Sequence, residues 1–252
     1  MGAMKLNEIA DDIHLLIGDT YASNSTVIVA GGEALLVDAM GSRADAAALQ
    51  RYIEADLGKR VRFIVMTHYF SDHLAALQRF PGATIIAHEL FAQTFAAERF
   101  RTAEEAAFFV EPSLTFSDRL ALRWGAYRLE LFHNPGHTMS TIGIDVAKAD
   151  LLFTGDTIVG NIVYVPYGAP SLLESAVERL RRRRRRQLIS SHDDVRGAAS
   201  LDHALAYLRA LTARPAPVET PIEEFLPAGV VASDFERQFH RRNLEHLAAQ
   251  AA

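Results

Sequence analysis

The sequence contains no cysteine, so the chain can form no disulfide and no thiolate can hold a metal ion. Any metal site must therefore use histidine, aspartate or glutamate. No apolar run approaches the ~20 residues of a membrane-spanning helix, and the first residues lack the apolar core of a signal peptide. We therefore expect no membrane partner and a cytoplasmic location, which the lack of cysteine fits.

The chain also has little net charge, -5 at neutral pH, which argues against general nucleic-acid binding. Residues 181–186 are a local exception, because six arginines follow one another there. We interpret this run as the solvated end of a helix, where cations suit the negative end of the helix dipole. The alternative is a patch for an anionic substrate, RNA or membrane phosphate. We expect a small-molecule substrate instead.

The 252 residues suffice for one large domain of mixed α and β structure. Residues 5–212 are expected to form it, with residues 213–252 as a helical tail packed on the same domain after a proline-rich break. Alternating and apolar runs predict strands, and apolar residues at helical spacing predict helices. The predicted strands are 13–17, 25–30, 34–38, 61–66, 83–87, two within 120–132, 141–146, 151–153 and 188–189. The predicted helices are 43–57, one beginning at 74–80, 89–110, one from 171, 201–211 and 233–249.

Two histidines and an aspartate follow the predicted strand 61–66 within six residues: His68, Asp72 and His73. Zinc and iron bind the imidazole nitrogen and the carboxylate oxygen that these side chains offer. Three later motifs contain further candidate ligands. They are His137 after Pro135-Gly136, Asp156 after Gly155, and His192 after Ser190-Ser191.

These four motifs, in this order, resemble those of the metallo-β-lactamase superfamily, whose first motif is His-x-His-x-Asp-His. The resemblance spans roughly residues 10–210 and has one departure, because Phe70 stands where the second histidine would be. It implies an α/β fold, the αββα sandwich, in which two mixed β-sheets pack face to face with helices outside. The metal site would lie at one edge of that sandwich.

The resemblance also implies a ligand set similar to that of glyoxalase II. Site one would contain His68, His137 and Asp156. Site two would contain Asp72, His73 and His192, with Asp156 bridging the two. Site one has lost a ligand, because the phenyl ring of Phe70 offers no lone pair. We expect one or two zinc ions, with iron or manganese as alternatives.

The activity that the resemblance implies is hydrolysis of an ester, thioester, lactone or amide of a small molecule by metal-bound hydroxide. Asp72 or Asp156 would handle the proton. A β-lactam substrate is disfavoured, because true β-lactamases normally lack a bridging aspartate at the Asp156 position. One alternative is a mononuclear iron dioxygenase of the persulfide dioxygenase type, held by His68, His137 and Asp156. Another is a metal-binding member without catalysis, whose first site is degraded.

Further polar residues have weaker predicted roles. Asp38 is expected to orient a metal ligand or to cap a turn. His133 is a candidate proton shuttle or substitute ligand, and three tyrosines are candidate substrate contacts: Tyr69, Tyr164 and Tyr167. His14, His88 and His203 are expected to be surface or hydrogen-bonded histidines. The tail could cover the pocket or mediate association, so a homodimer is possible.

Overall fold

A computed structural model describes residues 4–98 and 102–251 of the chain. The described residues form two β-sheets with helices on both outer faces. The first sheet contains β1 (Lys5–Ala10), β2 (Ile13–Ile17), β3 (Asn24–Ala30), β4 (Glu33–Val37), β5 (Arg60–Val65), β6 (Thr84–His88) and β7 (Leu114–Phe116). The second sheet contains β8 (Arg119–Trp124), β9 (Tyr127–His133), β10 (Ile142–Val146), β11 (Leu151–Phe153), β12 (Gln187–Ile189) and β13 (Arg196–Gly197). The helices are α1 (Arg43–Arg51), α2 (Phe91–Ala97), α3 (Ala103–Ala106), α4 (Pro170–Arg181), α5 (Ala199–Ala213) and α6 (Asp234–Ala251).

Both sheets are mixed, as the sandwich requires. In the first sheet, β1 to β4 are antiparallel neighbours, and β4 to β7 are parallel. In the second, β8 to β11 are antiparallel, β12 runs parallel to β11, and β13 closes the edge antiparallel to β12. The expected αββα sandwich of two mixed sheets is therefore confirmed.

Three apolar cores separate the four layers. The central core lies between the sheets and includes Leu15, Val65 and Phe153. A second core lies between the first sheet and helices α1 and α2, and a third between the second sheet and α4 to α6. Each sheet is therefore buried on both faces, which explains why every residue of β2 and of β10 is buried.

The helix predicted from residue 74 is absent, and two short 3₁₀ turns, Ser71–His73 and Leu77–Arg79, occupy the segment. The backbone bonds here run to a neighbouring loop instead of along a helix. The Ala39 nitrogen donates to the His73 carbonyl, and the Ala76 nitrogen donates to the Ala39 carbonyl. The long helix predicted at 89–110 is also divided, because Glu98 is extended and Thr102 begins α3 with a capping box. Residues 99–101 of that prediction lie outside the described residues.

The C-terminal segment packs on the second sheet side through apolar side chains. Ile222, Phe225, Phe239 and Leu244 belong to the same core as α4 and α5. Two buried polar residues of α6 also bind the loop after β11: the Glu236 carboxylate accepts from the Asn161 backbone nitrogen at 2.6 Å. Asn243 accepts from the Val165 nitrogen and donates to the Val163 carbonyl. This loop and α6 therefore have fixed relative positions.

The arginine run lies at the end of α4, and four of its members contact carboxylates. Arg181 pairs with Asp202, Arg183 with Glu130, Arg185 with Asp145 and Arg186 with Asp150. These partners neutralise most of the run within the chain, which favours the interpretation as a helix end. In the described part of the chain, no helix has the length and apolar character needed to cross a membrane.

Candidate metal centre

Six side chains with metal-binding atoms meet at one edge of the sandwich. His68 follows β5, His137 follows β9, and His192 follows β12. Asp72 and His73 lie in the turn Ser71–His73, and Asp156 lies in the turn Gly155–Thr157 after β11. Since strands of both sheets end here, residues far apart in sequence converge. All six predicted ligands are therefore brought together.

Two glycines make these loops possible. Gly155 has φ +53, a left-handed conformation that presents Asp156 at the end of β11. Gly136 lies against α4, where an added Cβ would be 2.6 Å from the Ala176 Cβ. The glycines of the Pro-Gly-His and Gly-Asp motifs thus place the following ligand.

The ligands divide into two groups. The first cluster is His68, His137 and Asp156, and the second cluster is Asp72, His73 and His192; the ligand atoms of each lie within 4.8 Å of one another. Asp156 Oδ2 lies between the clusters, and its distances to four imidazole Nε2 atoms are short. They are 3.6 Å to His68, 3.7 Å to His73, 3.9 Å to His137 and 3.0 Å to His192.

The donor atoms fit a divalent metal ion, because many are buried without a hydrogen-bond partner. Among the described residues, these atoms include His68 Nε2, both ring nitrogens of His73 and of His137, and Asp156 Oδ1. A buried polar atom without a partner is costly, and several converging on one point are rarer still. A metal ion would satisfy the Nε2 atoms that face this point, and with no sulfur in the set, zinc, iron and manganese all suit the donors.

Neighbouring groups orient Nε2 of two imidazoles towards this point. His192 Nδ1 lies 2.9 Å from the Tyr21 carbonyl, so Nδ1 carries a proton, and Nε2 is the ring nitrogen that faces Asp156, at 3.0 Å from Oδ2. The Thr67 hydroxyl donates to Asp38 Oδ2 at 2.7 Å, so its oxygen accepts from His68 Nδ1 at 3.0 Å. Both imidazoles therefore present Nε2, the tautomer that a metal ligand needs.

Asp38 supports this arrangement through hydrogen bonds to Thr67 and Ser191, the residues that precede His68 and His192. Its side chain is buried and also accepts from the Thr67 nitrogen and the Ser191 hydroxyl. Burial raises the pKa of Asp38. Its φ of +58 is unusual for a residue other than glycine, and such backbone is retained where the surroundings enforce it. The predicted orienting role thus has a structural basis in the chain Asp38, Thr67, His68.

The histidines of the first cluster are held neutral. Burial lowers the pKa of His68 well below its ordinary value and lowers the pKa of His137 to about 4. In the second cluster, burial also acts to lower the pKa of His73, but Asp72 and Asp156 outweigh it and raise the value to about 10. The pKa of His192 is raised as well, since Asp156 outweighs its burial.

Asp156 shows the converse effect. Burial acts to raise its pKa, but the imidazoles of His192 and His73 help to hold the pKa well below its usual range. This carboxylate is therefore ionised, and its negative charge lies where a cation would bind.

Comparison with known proteins agrees with this geometry. The family model described as the metallo-beta-lactamase superfamily matches residues 18–192. The chain belongs to this superfamily. The match covers all six ligands and ends at His192, so α5 and α6 lie beyond it.

Solved structures of superfamily members share the fold. A metallo-beta-lactamase from Pontibacter korlensis has a TM-score of 0.70 at 20% identity, over 82% of this chain and 99% of that chain. A metallo-beta-lactamase from Erythrobacter litoralis, with β-mercaptoethanol in its active site, has a TM-score of 0.65 at 18% identity, over 81% and 96%. The DIM-1 metallo-beta-lactamase exposed to ceftazidime has a TM-score of 0.68 at 18% identity, over 82% and 97%.

The departure from the superfamily motif, Phe70, lies beside the first cluster. Its ring centroid is 4.9 Å from that of His137 and 5.3 Å from that of His68, and both contacts are edge to face. The ring also packs on Tyr167 at 4.6 Å. An apolar wall thus occupies the side of the first cluster where the superfamily motif has imidazole.

A cavity of about 190 Å³ opens onto the ligands. Its described lining includes Asp72, Asp156, His137 and His192 together with the predicted substrate contacts Tyr164 and Tyr167. Tyr69 and His133 are not among the described lining residues. Tyr69 is buried, and its hydroxyl donates to Glu98 at 3.2 Å. His133 Nε2 lies 2.8 Å from the Met139 carbonyl, and its ring stacks on His88 at 3.8 Å.

The remaining histidines have hydrogen-bond partners outside the cavity. His14 Nδ1 lies 3.2 Å from the Tyr52 hydroxyl, and His203 Nδ1 lies 2.9 Å from Asn161 Oδ1. His88 is buried, with Nε2 2.8 Å from the Ser117 carbonyl.

Among the described lining residues, six were not singled out by sequence reasoning: Tyr21, Ser71, Glu98, Glu105, Phe239 and Arg242. Tyr21 has a left-handed φ of +54 in the loop between β2 and β3. Phe239 and Arg242 belong to α6, outside the matched family region. Their spacing of three residues places them on one helix face, but nothing in the sequence indicates which face meets the cavity.

Proposed function

We propose that this protein is a metal-dependent hydrolase that cleaves an ester, thioester, lactone or amide of a small molecule, with zinc as its metal. The observation that carries the proposal is the convergence of four imidazole Nε2 atoms on Asp156 Oδ2 beside an open cavity. His68, His137 and Asp156 would hold one ion, and Asp72, His73 and His192 another. When bound, a divalent ion supplies Lewis acidity there, lowering the pKa of water and polarising a carbonyl.

Of the two carboxylates among the candidate ligands, Asp72 is the better placed to accept a proton. Its side chain is 22% exposed and lines the cavity, whereas that of Asp156 is 6% exposed. Asp72 Oδ2 also lies 3.6 Å from His192 Nε2 and 3.6 Å from His73 Nε2. We therefore assign Asp72 the role of accepting a proton from the attacking water.

Tyr167 is a candidate donor to the substrate oxygen. Burial, together with nearby Tyr164 and Glu98, raises the pKa of Tyr167 to about 12, so its hydroxyl keeps its proton at neutral pH. A neutral O–H in the cavity wall can donate to a carbonyl oxygen that gains negative charge during attack. Phe70 packs against Tyr167 and limits the positions that its ring can adopt.

A second candidate function rests on the first cluster alone. His68, His137 and Asp156 form a group of two histidines and one carboxylate, the set that mononuclear non-haem iron uses. Phe70 offers no ligand to this triad and would not disturb it. The alternative activity is oxidation of a persulfide with molecular oxygen.

Metal content and turnover separate the two functions. The protein should be purified without added metal and without a tag that leaches nickel, and its metal measured by elemental analysis. We expect zinc, turnover of chromogenic esters, thioesters or lactones, and a fall of about 10²–10⁴ in kcat in Asp72→Asn. Asp118→Asn, an exposed carboxylate outside the centre, is the matched control.

Iron at one per chain, with oxygen consumption in the presence of a persulfide, would instead establish the dioxygenase. In that case His137→Ala should abolish activity and Asp72→Asn should matter much less. Metal without turnover of any compound in either panel would contradict both activities.

A further inference from the structure

We propose that Arg242 binds a carboxylate of the substrate, so that the natural substrate is a small organic acid whose scissile carbonyl is separate from that carboxylate. This inference rests on the proposed hydrolase function, because it names a substrate class for the same cavity. Arg242 lies on α6, and no established feature of the metal centre involves it.

The first observation is that Arg242 lacks an acidic partner among the described residues. Two other arginines of α6 have one: Arg237 pairs with Glu223, and Arg241 pairs with Glu245 at 3.2 Å. Arg242 is half-buried and lines the cavity, and it is the one lysine or arginine among the described lining residues. A half-buried guanidinium normally has an anion beside it.

The second observation is that its neighbours hold the guanidinium at the cavity. Arg242 Cζ lies 5.3 Å from the Phe239 ring centroid, a cation–π distance. Burial raises the pKa of Tyr164, and the positive charge of nearby Arg242 partly offsets that rise. A guanidinium has five N–H donors, which are available to a carboxylate.

The distance to the metal centre limits the substrate. The Phe239 ring is near both Arg242 and the candidate ligand His192, whose ring centroid is 6.4 Å from that of Phe239. Both groups therefore lie within 6.4 Å of the centre of one aromatic ring, so the gap between them is short. A substrate that spans this gap has its carboxylate at one end and its scissile carbonyl at the other.

The other walls of the cavity can contact the part of such an acid that lies between its carboxylate and its scissile carbonyl. Phe239, Tyr164 and Tyr167 form a continuous aromatic surface, with ring centroids 4.8 Å and 5.7 Å apart. Glu105 also lines the cavity. Its negative charge disfavours an anionic group at its own position and so favours Arg242 as the place for a carboxylate.

Binding of a matched pair of ligands tests the inference without relying on turnover, and chromatography of the mixture after each titration shows whether either amide bond has been cleaved. Hippurate (N-benzoylglycine) has an aromatic ring, an amide carbonyl and a carboxylate; hippuramide is the same molecule with a neutral amide in place of the carboxylate. Calorimetry on the zinc-loaded protein should show hippurate binding about tenfold more tightly or better, the value of one charge-assisted hydrogen-bonded pair. In Arg242→Gln the preference should fall below about twofold.

Two variants serve as controls. Arg241→Gln changes an exposed arginine that pairs with Glu245 and should keep the full preference for hippurate. Arg242→Lys keeps the charge but loses the planar fork, so part of the preference should remain. Thermal unfolding followed by circular dichroism identifies any variant that has lost its fold, and Arg242→Lys then carries the test.

Several results would overturn the inference. One is equal affinity of the wild-type protein for hippurate and hippuramide, and another is no detectable hippurate binding at millimolar concentration. A third is a preference for hippurate that remains in Arg242→Gln, because the metal would then hold the carboxylate. An Arg242-dependent preference without hydrolysis of any ester would keep this subsite and reject the hydrolase. Hydrolysis without such a preference would do the reverse.

Discussion

The two halves of the metal centre differ in what they lack. The first cluster has neutral imidazoles, because burial lowers the pKa values of His68 and His137, but Phe70 replaces a nitrogen ligand beside it. The second cluster has all the ligands that the superfamily motif implies, but carboxylates raise the pKa values of His73 and His192. A metal ion must displace protons from the second cluster and need not do so from the first.

The comparison shows that having every ligand residue and having those residues deprotonated are separate properties. Ligand identity depends on the motif, whereas protonation depends on which carboxylates lie near each imidazole. Asp156 belongs to both halves, since its Oδ2 approaches two histidines of each. Substitutions can therefore remove the difference between the clusters, widen it, or leave it unchanged.

Asp156→Asn should have the largest effect, because it removes the charge shared by both clusters. We expect metal affinity to fall by more than the roughly 10–100-fold that follows loss of an outer partner of a ligand. Dialysis against a chelator series followed by elemental analysis measures the change. Asp150→Asn, which alters a carboxylate paired with Arg186, should retain its metal. Retention of metal in Asp156→Asn would show that the bridging charge is dispensable.

Asp38→Asn should weaken the first cluster more than the second, because Asp38 acts on His68 through the Thr67 hydroxyl. We expect a loss of about 10–100-fold in metal affinity, typical of removing such a partner. Thr67→Val should reproduce much of the loss, whereas Thr67→Ser keeps the hydroxyl and should be mild. Equal affinities in Thr67→Val and Thr67→Ser would contradict the orienting role of this hydroxyl.

The pH dependence of metal affinity should arise from the protonated imidazoles of the second cluster. The pKa of His73 in the metal-free protein is raised to about 10, so its imidazole carries a proton at neutral pH that must leave before metal binds. Affinity should therefore rise by about tenfold per pH unit for each proton released, from pH 6 to pH 9. Competition with a chromophoric chelator measures it. Affinity that is constant over this range would mean that His73 is already neutral.

Phe70→His should change metal binding least, but it tests directly whether Phe70 limits the occupancy of the first cluster. Restoring imidazole beside His68 and His137 should raise the metal content towards two ions per chain, because the first cluster would gain its third nitrogen and fill more completely. Phe70→Leu controls for loss of the aromatic ring and should leave the content unchanged. No increase in Phe70→His would show that this position does not limit occupancy.

The ligands were predictable because each lies in a short motif at the end of an apolar strand. The segment after Asp72 was not, since its apolar residues fit a helix while its backbone bonds instead to Ala39 and Met40, residues far away in sequence. The aromatic-rich residues 89–110 likewise fit one helix, but the extended backbone at Glu98 interrupts it. Helical spacing cannot reveal a competing partner that only folding supplies.

By itself, the sequence determined the superfamily, the sandwich and the identity of the candidate ligands, because those depend on local motifs and on strand-forming apolar runs. Only the tertiary structure decided that α6 brings Phe239 and Arg242 to the cavity. It also decided that His133 stacks on His88 instead of lining the cavity, and that the two clusters hold different charges. The physical reason is that burial and charge at a point arise from all the elements that meet there, and no single segment of sequence contains them.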